Sequence, residues 1–225
     1  MPGMNRHLLT MLFGALLATL LIGARLGYPW AGGTGVPGKP LEAVLLEAVG
    51  NPTADAAGET RSLSTGDRLK RGETLHAGDA GYLEIGINGA RVGLDERTIV
   101  ELTSLAPDDV RLHLLTGRLV VAGAPDVAGV SITTTSTESR ILTQGALAVT
   151  YYNFRDTVDI VPINAPAEIF LADGQAFVAT APQEVVESPI MTVTKTTFDP
   201  TKGVAARFYA RFGLPSTVDK NVKKP

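Results

Sequence analysis

The sequence predicts an all-β domain, an antiparallel β-sandwich or a partly closed barrel of short strands, preceded by one N-terminal transmembrane helix. Three observations support this prediction. Short apolar runs alternate with polar residues, turn residues separate the runs at regular spacing, and residues 8–24 carry no charge. At 225 residues the chain has room for one β-rich domain of about 150 residues with flanking segments.

The apolar stretch at residues 8–24 predicts where in the cell the protein lies. It consists mainly of Leu and Ala and lies between Arg6 and Arg25. A spanning helix needs roughly 20 residues, so the stretch is short but adequate if Arg25 extends its charge to the interface. Arg6 favours an N-terminus inside the cell. A cleaved signal peptide is the alternative, although Ile22 stands where a small residue is expected before cleavage after Ala24.

The domain organisation follows from this segment. Residues 1–7 are expected to be a short cytoplasmic N-terminus and residues 8–26 a signal anchor or signal peptide. Gly and Pro make residues 27–40 a linker, residues 41–190 are the β domain, and residues 191–225 are a basic tail with a possible short helix. The β domain is then extracytoplasmic, periplasmic or at the cell surface, on a single-pass protein of the cell membrane. It is secreted if the signal is cleaved.

The clearest strand signal is a hairpin around Asn88-Gly89. An Asn-Gly pair suits a two-residue type I′ turn, whose central residues both need positive φ. The predicted register places all the aliphatic residues on one face and the remaining residues on the other. It pairs Ile87 with Ala90, Ile85 with Val92 and Leu83 with Leu94, and leaves Glu84, Gly86, Arg91 and Gly93 on the opposite face.

The same alternation predicts the remaining elements. Residues 41–49 suit a first strand or a helix turn, and residues 51–58 suit a polar loop. Further strands are predicted at residues 98–102, 110–114, 119–121, 130–135, 146–152, 157–163, 169–171 and 176–178, with turns at 116–117 and 173–174.

The sequence offers little catalytic chemistry. The chain has no cysteine, which excludes disulfides, thiolate zinc sites and a cysteine nucleophile. None of its three histidines has a second histidine at ligand spacing, and no nucleophile elbow, phosphate-binding loop or zinc-protease motif occurs. The adjacent carboxylates Asp95-Glu96 and Asp108-Asp109 would point to opposite faces of a strand. We therefore predict a non-enzymatic protein with no catalytic, cofactor-binding or metal-binding residues.

Charge is distributed unevenly. Residues 31–194 hold 11 Lys and Arg against 21 Asp and Glu, whereas residues 195–225 hold 7 against 2. The spacing of apolar residues predicts a short amphipathic helix over residues 203–213, with Arg207 and Arg211 beside its apolar face. This segment is expected to be partly disordered, to dock on its own domain, or to contact an anionic polymer, membrane surface or protein. Nucleic acid is not an expected partner of an acidic domain beyond a membrane.

An aromatic run, Tyr151-Tyr152-Asn153-Phe154-Arg155-Asp156, has two interpretations. It is either a strand end whose tyrosine plugs the core or an exposed aromatic rim that recognises a partner or a sugar. The candidate partner-binding residues are Tyr152, Phe154, Arg155, Arg207 and Arg211.

The pattern of glycines and aliphatic residues resembles the FecR-type periplasmic domain over about residues 41–180. The stretches that carry the resemblance are Gly66-Asp67-Arg68-Leu69, Gly72-Glu73-Thr74-Leu75, residues 78–85, 88–94 and 98–102, and the strand-glycine-strand run of residues 110–119. The chain departs from the family pattern at Ala146, after Gly145, and at Pro162-Ile163-Asn164.

The resemblance implies a non-enzymatic, β-rich extracytoplasmic domain. Its namesakes pass a receptor signal to a cytoplasmic sigma factor through an N-terminal cytoplasmic domain, and only seven residues precede the apolar stretch here. We therefore expect a membrane-tethered binding or scaffold module of the cell envelope. Its expected partner is an envelope or membrane protein, or an anionic wall polymer. The alternative is a signal-relay component that works with a membrane partner.

Overall fold

Alternating apolar and polar residues form seventeen strands and one short helix in the described part of the chain. The computed structural model describes residues 41–87, 89–107, 109–123, 130–141, 145–155, 157–163, 165–186, 191–203 and 205–214. The expected N-terminus, anchor and linker at residues 1–40 lie outside them. Among the described residues, no helix has the length and apolar character needed to span a bilayer.

The strands are β1 (Ala43–Val49), β2 (Thr53–Ala56), β3 (Glu59–Ser62), β4 (Arg68–Leu69), β5 (Thr74–His76), β6 (Tyr82–Ile87), β7 (Ala90–Leu94), β8 (Ile99–Ala106), β9 (Asp109–Ala122), β10 (Val130–Thr133), β11 (Thr137–Ile141), β12 (Ala146–Tyr152), β13 (Thr157–Ile163), β14 (Ala167–Leu171), β15 (Ala176–Ala179), β16 (Gln183–Val186) and β17 (Thr192–Lys195). The helix α1 spans Ala206–Phe212.

Two sheets share one strand. Sheet A has the order β4-β1-β6-β7-β9-β12-β13-β16-β17. Sheet B has the order β3-β2-β5-β8-β9-β10-β11-β14-β15. Every pairing is antiparallel except that of β9 with β10. The described part of the chain is therefore mostly β-sheet with one short helix, in agreement with the predicted all-β class, and it has one parallel pair that was not predicted.

Strand β9 passes from one sheet to the other. Its residues up to Thr116 pair with β8 in sheet B, and its residues from Gly117 pair with β12 in sheet A. Gly117 has φ +102, a conformation that favours glycine. The predicted turn at residues 116–117 is therefore wrong: the glycine bends a continuous strand instead of ending it.

The predicted hairpin is confirmed in its register. Strands β6 and β7 pair Leu83 with Leu94, Ile85 with Val92 and Ile87 with Ala90. All six side chains are buried, and Gly89 has φ +85, as a type I′ turn requires. Asn88 lies outside the described residues.

Other predictions hold in part. The strands expected at residues 146–152 and 157–163 are observed with the same bounds, and residues 43–49 form a strand rather than a helix turn. The polar loop expected at residues 51–58 is wrong, because residues 53–56 form β2 and pair with β3 and β5. Strands β3, β4, β5, β11, β16 and β17 were not predicted individually, and β17 joins sheet A from within the expected basic tail.

The described β domain has two apolar cores. The larger lies between the sheets and includes Leu45, Ile85, Leu112 and Leu147. The smaller lies on the outer face of sheet A, where α1 covers small and branched side chains of the central strands. The outer face of sheet A is therefore partly an interior surface, and its uncovered part borders the site described next.

Candidate functional site on the outer face of sheet A

Helix α1 is docked by three aromatic side chains. Phe208, Tyr209 and Phe212 are buried and pack in one cluster with Val120 of β9. Gly93 makes room for the helix, since a Cβ atom at this position would lie 2.6 Å from Cδ2 of Phe212. The amphipathic helix predicted for this segment thus packs on its own domain.

Arginine side chains frame the docked helix. Arg91 lies over the ring of Phe212 at 4.9 Å, and Arg211 lies over the ring of Tyr82 at 4.4 Å, both within the range of cation–π attraction. Arg211 also forms an ion pair with Glu47. The two predicted partner-binding residues on this helix therefore have different surroundings. Arg211 contacts its own domain, and Arg207 is exposed to solvent.

Glu84 connects the helix border to the sheet. Its carboxylate accepts hydrogen bonds from Arg91 Nε at 2.7 Å and from the Tyr82 hydroxyl at 2.9 Å. The bond from Arg91 holds the pKa of Glu84 below its ordinary value. Burial raises the pKa of Tyr82, and the bond to Glu84 adds to the rise. At neutral pH this cluster therefore has an ionised carboxylate and a neutral phenol.

A row of polar residues crosses sheet A beside the helix. The strand register aligns Arg118 with Thr150, Thr150 with Asp159, and Asp159 with Glu184. Arg118 donates to Thr150 Oγ1 at 3.1 Å and to Asp95 Oδ2 at 2.7 Å. The row therefore has the hydrogen-bonded Arg118 guanidinium at its β9 end. The neighbouring carboxylates of Asp159 and Glu184 lie at its β16 end.

This row is the floor of a groove of about 1010 Å³. The groove is also lined by the segment before α1, including Phe198, Asp199 and Lys202, and by Tyr209 of the helix. Lys202 forms an ion pair with Asp199 at 3.2 Å, and burial raises the pKa of Tyr209 to about 12.

Asp159 lines this groove, and its pKa is shifted by the surroundings. Burial raises its pKa above the ordinary value, and the carboxylate of Glu184 raises it further. Arg118 and Arg155 oppose this rise. The groove lining thus combines the Arg118 cation with the neighbouring carboxylates of Asp159 and Glu184.

The β12–β13 hairpin tip stands next to the groove. Phe154 is 76 % exposed, its ring centroid lies 5.6 Å from that of Tyr152, and the Arg155 guanidinium lies 5.8 Å from its centroid. The Arg155 amide donates to the Tyr152 carbonyl at 2.8 Å, which fixes the turn. The structure therefore brings together three of the five predicted site residues.

Tyr151, in the same aromatic run, fills the core, which is the other interpretation of that run. Tyr151 is buried in the core between the sheets, and its hydroxyl lies 3.1 Å from Thr135 Oγ1. Alternation along β12 thus sends Tyr151 inward and leaves Tyr152 on the outer face.

The two histidines within the described ranges, His76 and His113, each have a local partner. His76 Nε2 lies 2.9 Å from Asp55 Oδ2, and His113 Nδ1 lies 3.0 Å from Thr133 Oγ1. Within the described ranges, no group of three or more His, Cys, Asp or Glu side chains is arranged to hold a metal ion.

Comparison with known proteins adds information on the fold. No protein-family model matches the chain, and no curated protein sequence matches it. Two crystal structures described as a candidate anti-sigma factor from Parabacteroides distasonis ATCC 8503 are similar in structure. The first has a TM-score of 0.50 and 13% identity, and the alignment covers 57% of this chain and 61% of that protein.

The second structure has a TM-score of 0.51 and 13% identity, with 61% of this chain and 63% of that protein covered. The chain therefore spans about three fifths of the length of these proteins. At this identity the likeness shows that the β-sheet architecture is shared.

Proposed function

We propose that the protein is a non-enzymatic regulatory or signalling module of the cell envelope. Residues 8–26 tether it to the membrane, and its extracytoplasmic β domain binds an envelope or membrane protein. The fold shared with structures described as candidate anti-sigma factors supports the regulatory part of this proposal. An anionic wall polymer is the competing partner.

The observation that carries the binding role is the exposure of Phe154. A phenyl ring that is 76 % exposed leaves a large apolar surface in water, which burial against a partner would remove. The tight turn and the contacts with Tyr152 and Arg155 hold the ring in place. An aromatic side chain beside an arginine is typical of residues that dominate binding energy in protein interfaces.

Site-specific photocrosslinking in native membranes tests this proposal. A photoreactive phenylalanine replaces Phe154 in the full chain, and the matched control replaces Leu46, which is also exposed and lies on a different strand of sheet A. We expect an adduct with one membrane or envelope protein at position 154 and none at position 46. A carbohydrate adduct at position 154 would instead identify the wall polymer.

The second part of the test measures the affinity of this chain for the partner protein that the crosslinking identifies. The Phe154→Ala variant should weaken binding by about 2 kcal/mol or more, as expected for a central aromatic contact. The Leu46→Ala variant should bind like the parent protein. Equal adduct yields at both positions, or unchanged affinity of Phe154→Ala, would show that the hairpin tip is not the binding site.

A further inference from the structure

Strand β15 is an open, uncharged edge. It pairs with β14 on one side and has no strand on its other side among the described residues. Residues 174–183, which include all of β15, contain no Asp, Glu, Lys or Arg. Val178 is 56 % exposed, so this edge also presents an apolar side chain to water.

The hydrogen-bond alternation of the ladder fixes which backbone groups are open. Leu171 N donates to Gln175 O at 2.8 Å, so this pair and the Ile169–Phe177 pair are the hydrogen-bonded ones. The intervening residues Ala176 and Val178 therefore turn their N–H and C=O groups away from β14. These groups can accept one further strand.

The other sheet edges of the described part of the chain differ from β15. Strand β3 carries Glu59 and Arg61, β4 consists of Arg68 and one further residue, and β17 ends at Lys195. Charged residues on an edge disfavour the addition of a further strand. Strand β15 lacks this protection.

We propose that β15 pairs antiparallel with β15 of a second copy of this chain, with Val178 opposite Val178 of that copy. In this register the open groups of Val178 bond to each other across the two-fold axis, and Ala176 lies opposite Thr180. The uncharged stretch at residues 174–183 means that no like charges face each other. The two exposed valines bury each other, as apolar cross-strand pairs do.

The contact is small, which sets its strength. An edge of four residues buries less than the roughly 1,000 Å² typical of a stable interface. The dimer is therefore weak and concentration-dependent in solution. If the chain is tethered as proposed above, confinement to a membrane raises its effective concentration and favours pairing.

Single-cysteine crosslinking tests the pairing, because the chain has no cysteine of its own. The full chain in mild detergent carries Val178→Cys, and the matched control carries Ser62→Cys, an exposed residue of the charged edge strand β3. A short bismaleimide should link two copies through position 178 and not through position 62. Equal crosslinking at both positions, or none at position 178 at any concentration, would overturn the proposal.

Sedimentation velocity of uncrosslinked variants gives a second readout. Val178→Lys places like charges opposite each other and should weaken the dimer by about fivefold, whereas Val178→Thr keeps a β-branched side chain and should dimerise like the parent chain. Phe154→Ala should also dimerise normally, which separates this proposal from the hairpin-tip site. A Val178→Lys variant that dimerises as well as the parent chain would exclude β15 as the interface.

Discussion

The hydroxyl of Thr98 donates a hydrogen bond of 2.9 Å to the carbonyl oxygen of Arg118 and accepts one of 3.0 Å from the amide of the same residue. These bonds hold β9 at the point where it leaves sheet B and enters sheet A. Thr98 is fully buried, so water does not replace its hydroxyl when the side chain is changed.

The first prediction concerns this hydroxyl. Thr98→Val keeps the shape of the side chain but leaves the Arg118 amide without its partner, and an unsatisfied buried group costs about 1–3 kcal/mol. We expect a loss of that size in the free energy of unfolding, measured by urea denaturation. Thr98→Ser retains the hydroxyl and should lose less. Equal losses in both variants would show that methyl packing, and not hydrogen bonding, is the main contribution.

The second prediction concerns the bend itself. A Cβ atom at Gly117 would lie 2.5 Å from Cα of Thr98, whereas none of the structure lies within 4 Å of a Cβ atom at Gly58. Both glycines have positive φ, so both alanine variants carry backbone strain of about 1–2 kcal/mol. Gly117→Ala adds overpacking of about 1–3 kcal/mol. Thermal unfolding should therefore show a clearly larger loss for Gly117→Ala than for Gly58→Ala.

The bend also illustrates what the sequence can and cannot predict. The β6–β7 hairpin is predictable because the Asn88-Gly89 turn and the alternation of its neighbours are local and agree. Thr116-Gly117 has equally good turn chemistry, but Thr98 lies about twenty residues away and holds the glycine inside a strand. Strand β2 was missed because only one of its four residues is buried, which leaves no apolar pattern.

The candidate site also has a part that the sequence predicts and a part that it does not. Tyr152, Phe154 and Arg155 lie within four consecutive positions of the sequence, so their cluster was predictable from the chain alone. The neighbouring carboxylates Asp159 and Glu184 meet only through the register of β13 with β16. That pairing is set by the packing of the whole sheet, and β16 begins with the polar residues Gln183 and Glu184, so it has no apolar run that would predict a strand.

The third prediction concerns the packing of α1 against Gly93 of sheet A. Gly93→Ala would place a Cβ atom 2.6 Å from Phe212 Cδ2, so the helix must shift or leave the sheet. Hydrogen exchange of residues 206–212 should become faster, since docking protects these amides. Gly86→Ala is the matched control, because the atoms nearest to its Cβ atom belong to the flexible side chain of Leu46, the first of them at 3.2 Å.

A compensating change makes this test specific. In the double variant Gly93→Ala/Phe212→Leu, the smaller side chain should relieve the clash and restore part of the protection. If Gly93→Ala left the exchange of α1 unchanged, the fit between residues 93 and 212 would not control docking.

The fourth prediction concerns pH. Burial, with Glu184 as the second cause, raises the pKa of Asp159 above its ordinary 3.8. The folded protein therefore holds this proton more tightly than the unfolded chain, and stability falls as the pH rises from about 3.8 through the folded pKa. At neutral pH the ionised carboxylate lowers stability.

Chemical denaturation as a function of pH tests this sign. Asp159→Asn should be more stable than the parent protein at pH 7, and the difference should disappear below the unfolded pKa. Asp173→Asn, at an exposed turn, serves as the control for loss of a charge. An Asp159→Asn variant that is less stable at pH 7 would mean that the carboxylate contributes a favourable contact there.

The position of α1 in the chain has a consequence for synthesis. Residues 206–212 cover apolar side chains that belong to strands between Tyr82 and Val161. A ribosome completes those strands well before it adds the helix, so the outer face of sheet A is exposed to water for the interval in between. During translation, this apolar face therefore needs protection from aggregation until α1 has been made.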